Sequence, residues 1–184
     1  TRNLSKRSHS TEGSGVSIGT FSMNDYLSDD NEFDLLDGLE LRVFAHNVEC
    51  VPRLDSVVRD HRASFEQSLT ILREAKRLRP DILTKSSIMV GVGETDDEVI
   101  EAMRLLREVD VDLLTIGQYL APSPRHLAVD RFPEPEAFGR WDLAARDLGF
   151  KAVACGPLVR SSYRAGLLYE EANGGPVTLT YGES

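Results

Sequence analysis

The run Thr84-Lys85-Ser86-Ser87-Ile88-Met89-Val90-Gly91-Val92-Gly93-Glu94-Thr95-Asp96-Asp97-Glu98 decides the fold of this chain. Ser86 to Val92 reads as an apolar strand running into a glycine turn. Thr95 and Glu98 follow as a capping box, in which a hydroxyl and a carboxylate three residues apart each satisfy a backbone amide of a starting helix. Behind the box Val99, Met103 and Leu106 share one helical face. A strand that feeds directly into an amphipathic helix is one half of a parallel βαβ unit.

The same alternation extends both ways. Upstream, residues 42–46 (RVFAH) read as a short buried strand. Phe65, Leu69, Leu72 and Ala75 then mark a helix over roughly 61–79, ended by Pro80. Downstream, 111–116 is a strand, and Pro135 starts a helix whose stripe is Phe138, Trp141, Ala145 and Leu148. Gly149 ends that helix, and 151–155 is the last strand. This predicts an α/β fold of four parallel strands in chain order with three helices on one outer side, which is half a barrel. Because a parallel sheet is normally covered on both faces, a half barrel leaves edges and apolar surface to be dealt with.

Bulk properties bound the function. The chain has 184 residues, 41% hydrophobic and 28% charged, with no apolar run of membrane-spanning length. A net charge of −9 argues against a general nucleic-acid or anionic-membrane surface. Cys50 and Cys155 lie 105 positions apart and are expected to stay reduced. Residues 1–38 begin Ser/Gly-rich and then collect Asp25, Asp29, Asp30, Glu32, Asp34 and Asp37 without a base, so they are expected to be disordered apart from a short helix around 31–39. Thr1 with Arg2, Lys6 and Arg7 amid serines faintly suggests a processed leader. Residues 39–172 form the barrel half, and 173–184 are a flexible tail.

Polar groups gather where strands end, the side of an α/β sheet that collects ligands. His46-Asn47-Val48-Glu49 follows the first strand. Asn47 can donate and accept, and Glu49 can accept from a diol or pair with a cation, although a solvated turn would look the same. Gly91, Gly93 and Glu94 sit in the turn of the central unit. Four acids crowd that turn, so it is not a phosphate loop; it is either an ordinary tight turn or a place where backbone approaches a flat ligand. Thr115-Ile116-Gly117-Gln118-Tyr119-Leu120 ends the third strand, with Gln118 expected to point toward a ligand. Arg125 and His126 lie in the loop beyond, Arg125 as a solvated side chain. Arg160-Ser161-Ser162-Tyr163 follows the last strand and suits a phosphate site, a helix cap or no site at all.

Taken in order and spacing, these four strings resemble the second half of lipoyl synthase, a radical S-adenosylmethionine enzyme, over residues 43–172. The resemblance implies a barrel of the radical S-adenosylmethionine type and insertion of two sulfur atoms into the octanoyl chain of a lipoyl-carrier protein. It implies S-adenosylmethionine bound near Asn47, Glu49, Gly91, Gly93, Glu94 and Gln118, with Ser87 departing from the family's glycine. It also implies two four-iron four-sulfur clusters, one ligated through a serine hydroxyl, for which Ser162 is favoured over Ser161. The partner would be an octanoylated lipoyl domain or a glycine-cleavage H-type protein, in the cytoplasm or, in a eukaryote, the mitochondrial matrix. The family's cysteine motifs precede the matching region, and this chain has neither set, so it is expected to be inactive by itself. Two other classes are a non-catalytic remnant with a half-barrel fold and a Schiff-base aldolase using Lys85, against which stands the expectation that Lys85 precedes its strand and so lies away from the ligand edge.

Overall fold

The computed structural model describes residues 17–20 and 41–175. Its sheet holds five strands in chain order: β1 (Ser17–Thr20), β2 (Leu41–Ala45), β3 (Leu83–Val90), β4 (Leu113–Gln118) and β5 (Ala152–Gly156). Every neighbouring pair is parallel. The four strands read from the sequence are therefore present, each shifted by one to three residues. The fifth, β1, falls within 1–38 and was not anticipated, because four residues of Ser, Ile, Gly and Thr carry no period. The expected helix at 31–39 and most of the 173–184 tail lie outside the described residues.

The helices are α1 (Asp55–Val58), α2 (Phe65–Leu78), α3 (Asp96–Glu108), α4 (Pro135–Asp147) and α5 (Ala165–Ala172), with a 3-10 turn at Pro52–Leu54. Ser64 caps α2, its side chain accepting from Gln67 N, and both halves of the Thr95–Glu98 box are formed. Apolar stripes then decide which side each helix covers. Phe44, Ile88, Val90, Leu114, Ile116, Val153 and Cys155 point to the side where α2, α3 and α4 bury Leu72, Met103, Leu106, Phe138 and Trp141.

The opposite face is made of the alternate residues Val43, Leu83, Leu113, Ala152 and Ala154. Here the expectation of helices on one side only is corrected. The segment after β5 doubles back, its Val159 and then Leu168 of α5 being buried against these strands. The physical reason is the coverage rule: the second face of a parallel sheet finds apolar cover in the nearest chain able to supply it.

The N-terminal ends of the strands are fastened by one buried carboxylate. Asp112 Oδ2 accepts from Lys76 Nζ at 2.7 Å and from Thr84 N at 2.9 Å, while Oδ1 meets Lys151 Nζ at 2.8 Å. Burial would raise its pKa, but the bonds from Lys151, Lys76 and the Thr84 amide prevail and hold it below the usual carboxylate value. Asp112→Asn should lower the unfolding free energy by about 2 kcal/mol in urea titrations near neutral pH. The contribution of Asp112 is present above the unfolded carboxylate pKa of 3.8 and is lost as pH falls below it toward the lower folded value, so wild type and variant should converge in acid.

Candidate functional site

The C-terminal edge of the sheet is built by three successive strand ends. After β2 the backbone of 46–49 keeps company with β3: His46 N donates to Lys85 O at 3.0 Å, Glu49 N to Ser87 O at 3.1 Å, and Met89 N to Glu49 O at 2.7 Å. This holds Glu49 at φ 68°, a left-handed conformation that a carboxylate residue rarely adopts. Asn47 Nδ2 donates to Glu49 Oε1 at 3.2 Å, so the two half-buried side chains form one polar pair beside the edge. His46 is kept neutral, its pKa lowered to about 4 by burial and by Arg59, and its Nε2 has no partner.

After β3 the glycine turn is closed from within. Glu94, 4% exposed, accepts from Gly91 N at 2.8 Å and Val92 N at 2.9 Å. Gly91 at φ 93° and Gly93 at φ 108° supply the left-handed turns this requires. Glu94 also receives Arg131 Nη2 at 3.3 Å, and the same guanidinium reaches Asp96 at 3.0 Å, where Arg140 joins at 3.1 Å. Glu94 thus holds the turn and its covering loop together, whereas the sequence reading set it beside a ligand. Arg131 was missed altogether; a lone arginine thirteen residues past the end of a strand gives no periodic signal.

Gln118 also departs from expectation. It shares its side of β4 with Leu114 and Ile116, the helix-facing side, while Thr115 and Gly117 face the other way. Its Nε2 donates to Tyr119 O at 3.0 Å and Arg131 O at 3.2 Å, tying down the loop that leaves the strand. A Cβ on Gly91 would overlap both Gln118 Nε2 and Arg131 O, so this glycine is demanded by packing within the chain. Arg125 and His126 are exposed, as expected for Arg125.

Lys85 corrects a further expectation. β3 begins at Leu83, so Lys85 lies inside the strand on the face opposite the helices, 2% exposed. Its Nζ donates to the carbonyl of Ser161 and lies 3.4 Å from Thr115 Oγ1. Burial lowers its pKa to about 8 against a smaller opposing pull from Glu49. The positional objection to a Schiff-base lysine therefore falls, and the amine is held by the Ser161 carbonyl.

The run after β5 crosses the sheet. A Cβ on Gly117 would collide with Val159 O, so the absence of a side chain there lets the returning backbone lie against β4. Arg160 Nη1 reaches Val159 O at 2.8 Å, and Tyr163 N turns back to Arg160 O at 2.8 Å. Ser161 and Ser162 are left exposed between these supports. On the helix side of β5 an apolar pocket of about 680 Å³ opens between α4 and this run, bounded by Phe138, Leu158, Val159 and Tyr163.

The two thiols do not suit an iron–sulfur cluster. Cys50 is pushed up to about 12 by burial and nearby acids, chiefly Asp55, and Cys155 is raised well above its usual value by burial. Neither is in a disulfide, both are buried in the helix-side core, and the upward shifts favour the thiol, whereas cluster ligands are thiolates. Among the described residues no group of three or more His, Cys, Asp or Glu stands ready for a metal ion. Ser162, with an exposed hydroxyl, suits a single ligand to a group held mainly by other residues.

Comparison with known proteins gives a consistent context. The family model described as the radical SAM superfamily matches residues 10–106, more than half of the chain and reaching into the acidic N-terminal stretch. Lipoyl synthase 2, chloroplastic, of Populus trichocarpa is 54% identical over 146 residues, covering 79% of this chain and 37% of that protein. The mitochondrial lipoyl synthase of Homo sapiens is 54% identical over 131 residues, 71% of this chain and 35% of that protein. Lipoyl synthase of Thermus thermophilus is 56% identical over 130 residues, 71% of this chain and 40% of that protein. The chain spans little more than a third of the length of these relatives.

Two outcomes follow from the site's geometry. Gly91→Ala should destabilise the chain by about 3 kcal/mol, whereas Gly139→Ala, in α4 with nothing within 4 Å of the new methyl, should stabilise it by about 0.5–1 kcal/mol; thermal or urea unfolding measures both. Lys85 holds its proton less firmly when folded (about 8) than when unfolded (10.5), so the unfolded chain binds more proton between these values. Wild type should therefore gain stability relative to Lys85→Met as pH rises through that window, read from unfolding midpoints at stepped pH.

Proposed function

This chain belongs to the radical S-adenosylmethionine superfamily, and from its similarity to lipoyl synthases we propose that it is the C-terminal barrel half of an enzyme inserting two sulfur atoms into the octanoyl chain of a lipoyl-carrier protein. The observation that carries this reading is identity above half over some 130 residues, 71% of the chain. The partner would be an octanoylated lipoyl domain or a glycine-cleavage H-type protein. The compartment would be the cytoplasm, or the mitochondrial matrix of a eukaryote, in keeping with relatives named chloroplastic and mitochondrial. No described helix is long and apolar enough to cross a membrane.

In this reading S-adenosylmethionine lies along the C-terminal edge and supplies hydrogen abstraction from the acyl chain. Asn47 and Glu49 carry most of its recognition, since their polar pair is half exposed and Glu49 is held in a strained conformation suited to a ligand contact. Gly91, Gly93 and Glu94 shape the wall against which a flat ring system rests, and Gln118 secures the loop that closes it. The fold keeps Ser162 exposed on a run tied down on either side, which suits a hydroxyl that ligates one iron of the second of two four-iron four-sulfur clusters. No further ligand comes from this chain's cysteines.

The test joins residues 41–184 behind the N-terminal portion of a lipoyl synthase, where the family carries its cysteine motifs. After anaerobic reconstitution, the fusion is expected to hold the iron and sulfide of both clusters and to convert an octanoyl-lysyl peptide. Ser162→Ala should change the spectrum of one cluster and leave the other unaltered. Assembled clusters with no thiolated product would reject the proposed reaction, and an unchanged Ser162→Ala spectrum would reject the ligand.

A further inference from the structure

Among the described residues, the buried Lys85 ammonium has no carboxylate within ion-pair distance. Burial of an ammonium normally needs a paired charge, yet this one is 2% exposed and its Nζ is met by the Ser161 carbonyl and the Thr115 hydroxyl. Ser87 and Met89 share its face of β3, and Leu113 and Thr115 face it from β4, so the strand residues on either side are neutral. A methionine would fill the same space without desolvating an amine. What the amine adds is a directed donor aimed at the backbone between Arg160 and Ser162.

The run that receives it has few other supports. Val159 is buried, with its carbonyl seated over Gly117. Tyr163 packs partly buried against the same cluster, and Leu168 in α5 follows beyond Arg164, which enters the helix at φ 43°. Between them the Arg160 guanidinium reaches only carbonyls, at Val159 and, more weakly, at Pro157 and Gln118. Ser161 and Ser162 both leave their hydroxyls in solvent. Fixing the Ser161 carbonyl fixes the peptide plane that leads into Ser162, and with it the direction in which that side chain sets out.

We propose that Lys85 is a positioning residue for the Ser161–Ser162 hydroxyl pair: from the inner face of the sheet it donates to the Ser161 carbonyl and so sets where the Ser162 hydroxyl stands. The use of that hydroxyl as an iron ligand rests on the proposed function, whereas the anchoring belongs to this chain alone. The charged and titratable groups around the contact are Glu49 from the end of β2 and Arg160, Tyr163 and Arg164 from the covering run; β4 brings only the neutral Thr115.

The 184-residue chain, labelled with 15N and 13C, tests this without cluster or substrate. The amide nitrogen of Ser162 is bonded to the anchored carbonyl, so its shift should move with the same midpoint as the Lys85 side-chain resonances. Lys85→Met should remove that movement and raise hydrogen exchange at Ser162 and Tyr163 by about tenfold to a hundredfold, while Leu114 and Ile116 stay protected. Lys85→Gln, which keeps a shorter donor, should fall between. If Lys85→Met does not fold, the wild-type titration decides: a Ser162 shift that ignores the Lys85 midpoint overturns the proposal. So does a folded Lys85→Met with unchanged exchange. Failure of the enzymatic reading would appear elsewhere, as missing product in the fused protein with the Ser162 anchoring intact.

Discussion

A parallel sheet has two apolar faces, and everything in this chain follows from how the second one is covered. The helix side is filled in the expected way by α2, α3 and α4. The other side is closed by the chain's own return after β5, which is possible because Gly117 has no side chain and the backbone at Val159 can lie against β4. Once that backbone is seated, Lys85 is buried, the Arg160–Tyr163 run is carried across the sheet and α5 is directed onto Val43, Leu83 and Leu113. A methyl group at one position would disturb all of these together.

At the C-terminal edge, most of the polar chemistry serves the chain before it serves any ligand. Glu94 is consumed by two backbone amides and Arg131, and Gln118 by two carbonyls. That leaves Asn47 and Glu49 as the pair whose outward capacity is least committed. A rigid wall with a small recognition element fits the general pattern of sites in which support outnumbers contact.

The strands and outer helices were legible in the sequence because their apolar residues recur at fixed periods and their ends carry chemistry: Thr95 with Glu98, Pro135, Gly149. The start of β3 was misjudged because Leu83-Thr84-Lys85 is polar at two of three positions, and polar residues inside a strand look like a loop unless the fold supplies their partners. Here Thr84 finds Asp112 and Lys85 finds Ser161, contacts 28 and 76 residues away that no local pattern encodes. The inward return and α5 escaped for the same reason. Their short stripe, Leu168 with Val159, has meaning only beside the sheet that receives it. Within the site, the strand ends lie close to where the pattern put them, while the tethering of Gln118 and the inward commitment of Glu94 depend on Arg131, which no local pattern places nearby.

The strand order has a consequence for how such a piece of protein holds together. Among the described residues each strand pairs with the one that follows it in the chain, and none is inserted between two others. Within the sheet, contacts therefore accumulate one βα step at a time, and the returning segment is laid over them last. Folding can advance along the sequence with loop closures of modest length. A division between two consecutive strands cuts one step of the ladder and also the cover that the returning segment lays across β2, β3 and β4, so an exchange of barrel segments in this architecture has to carry that cover with it.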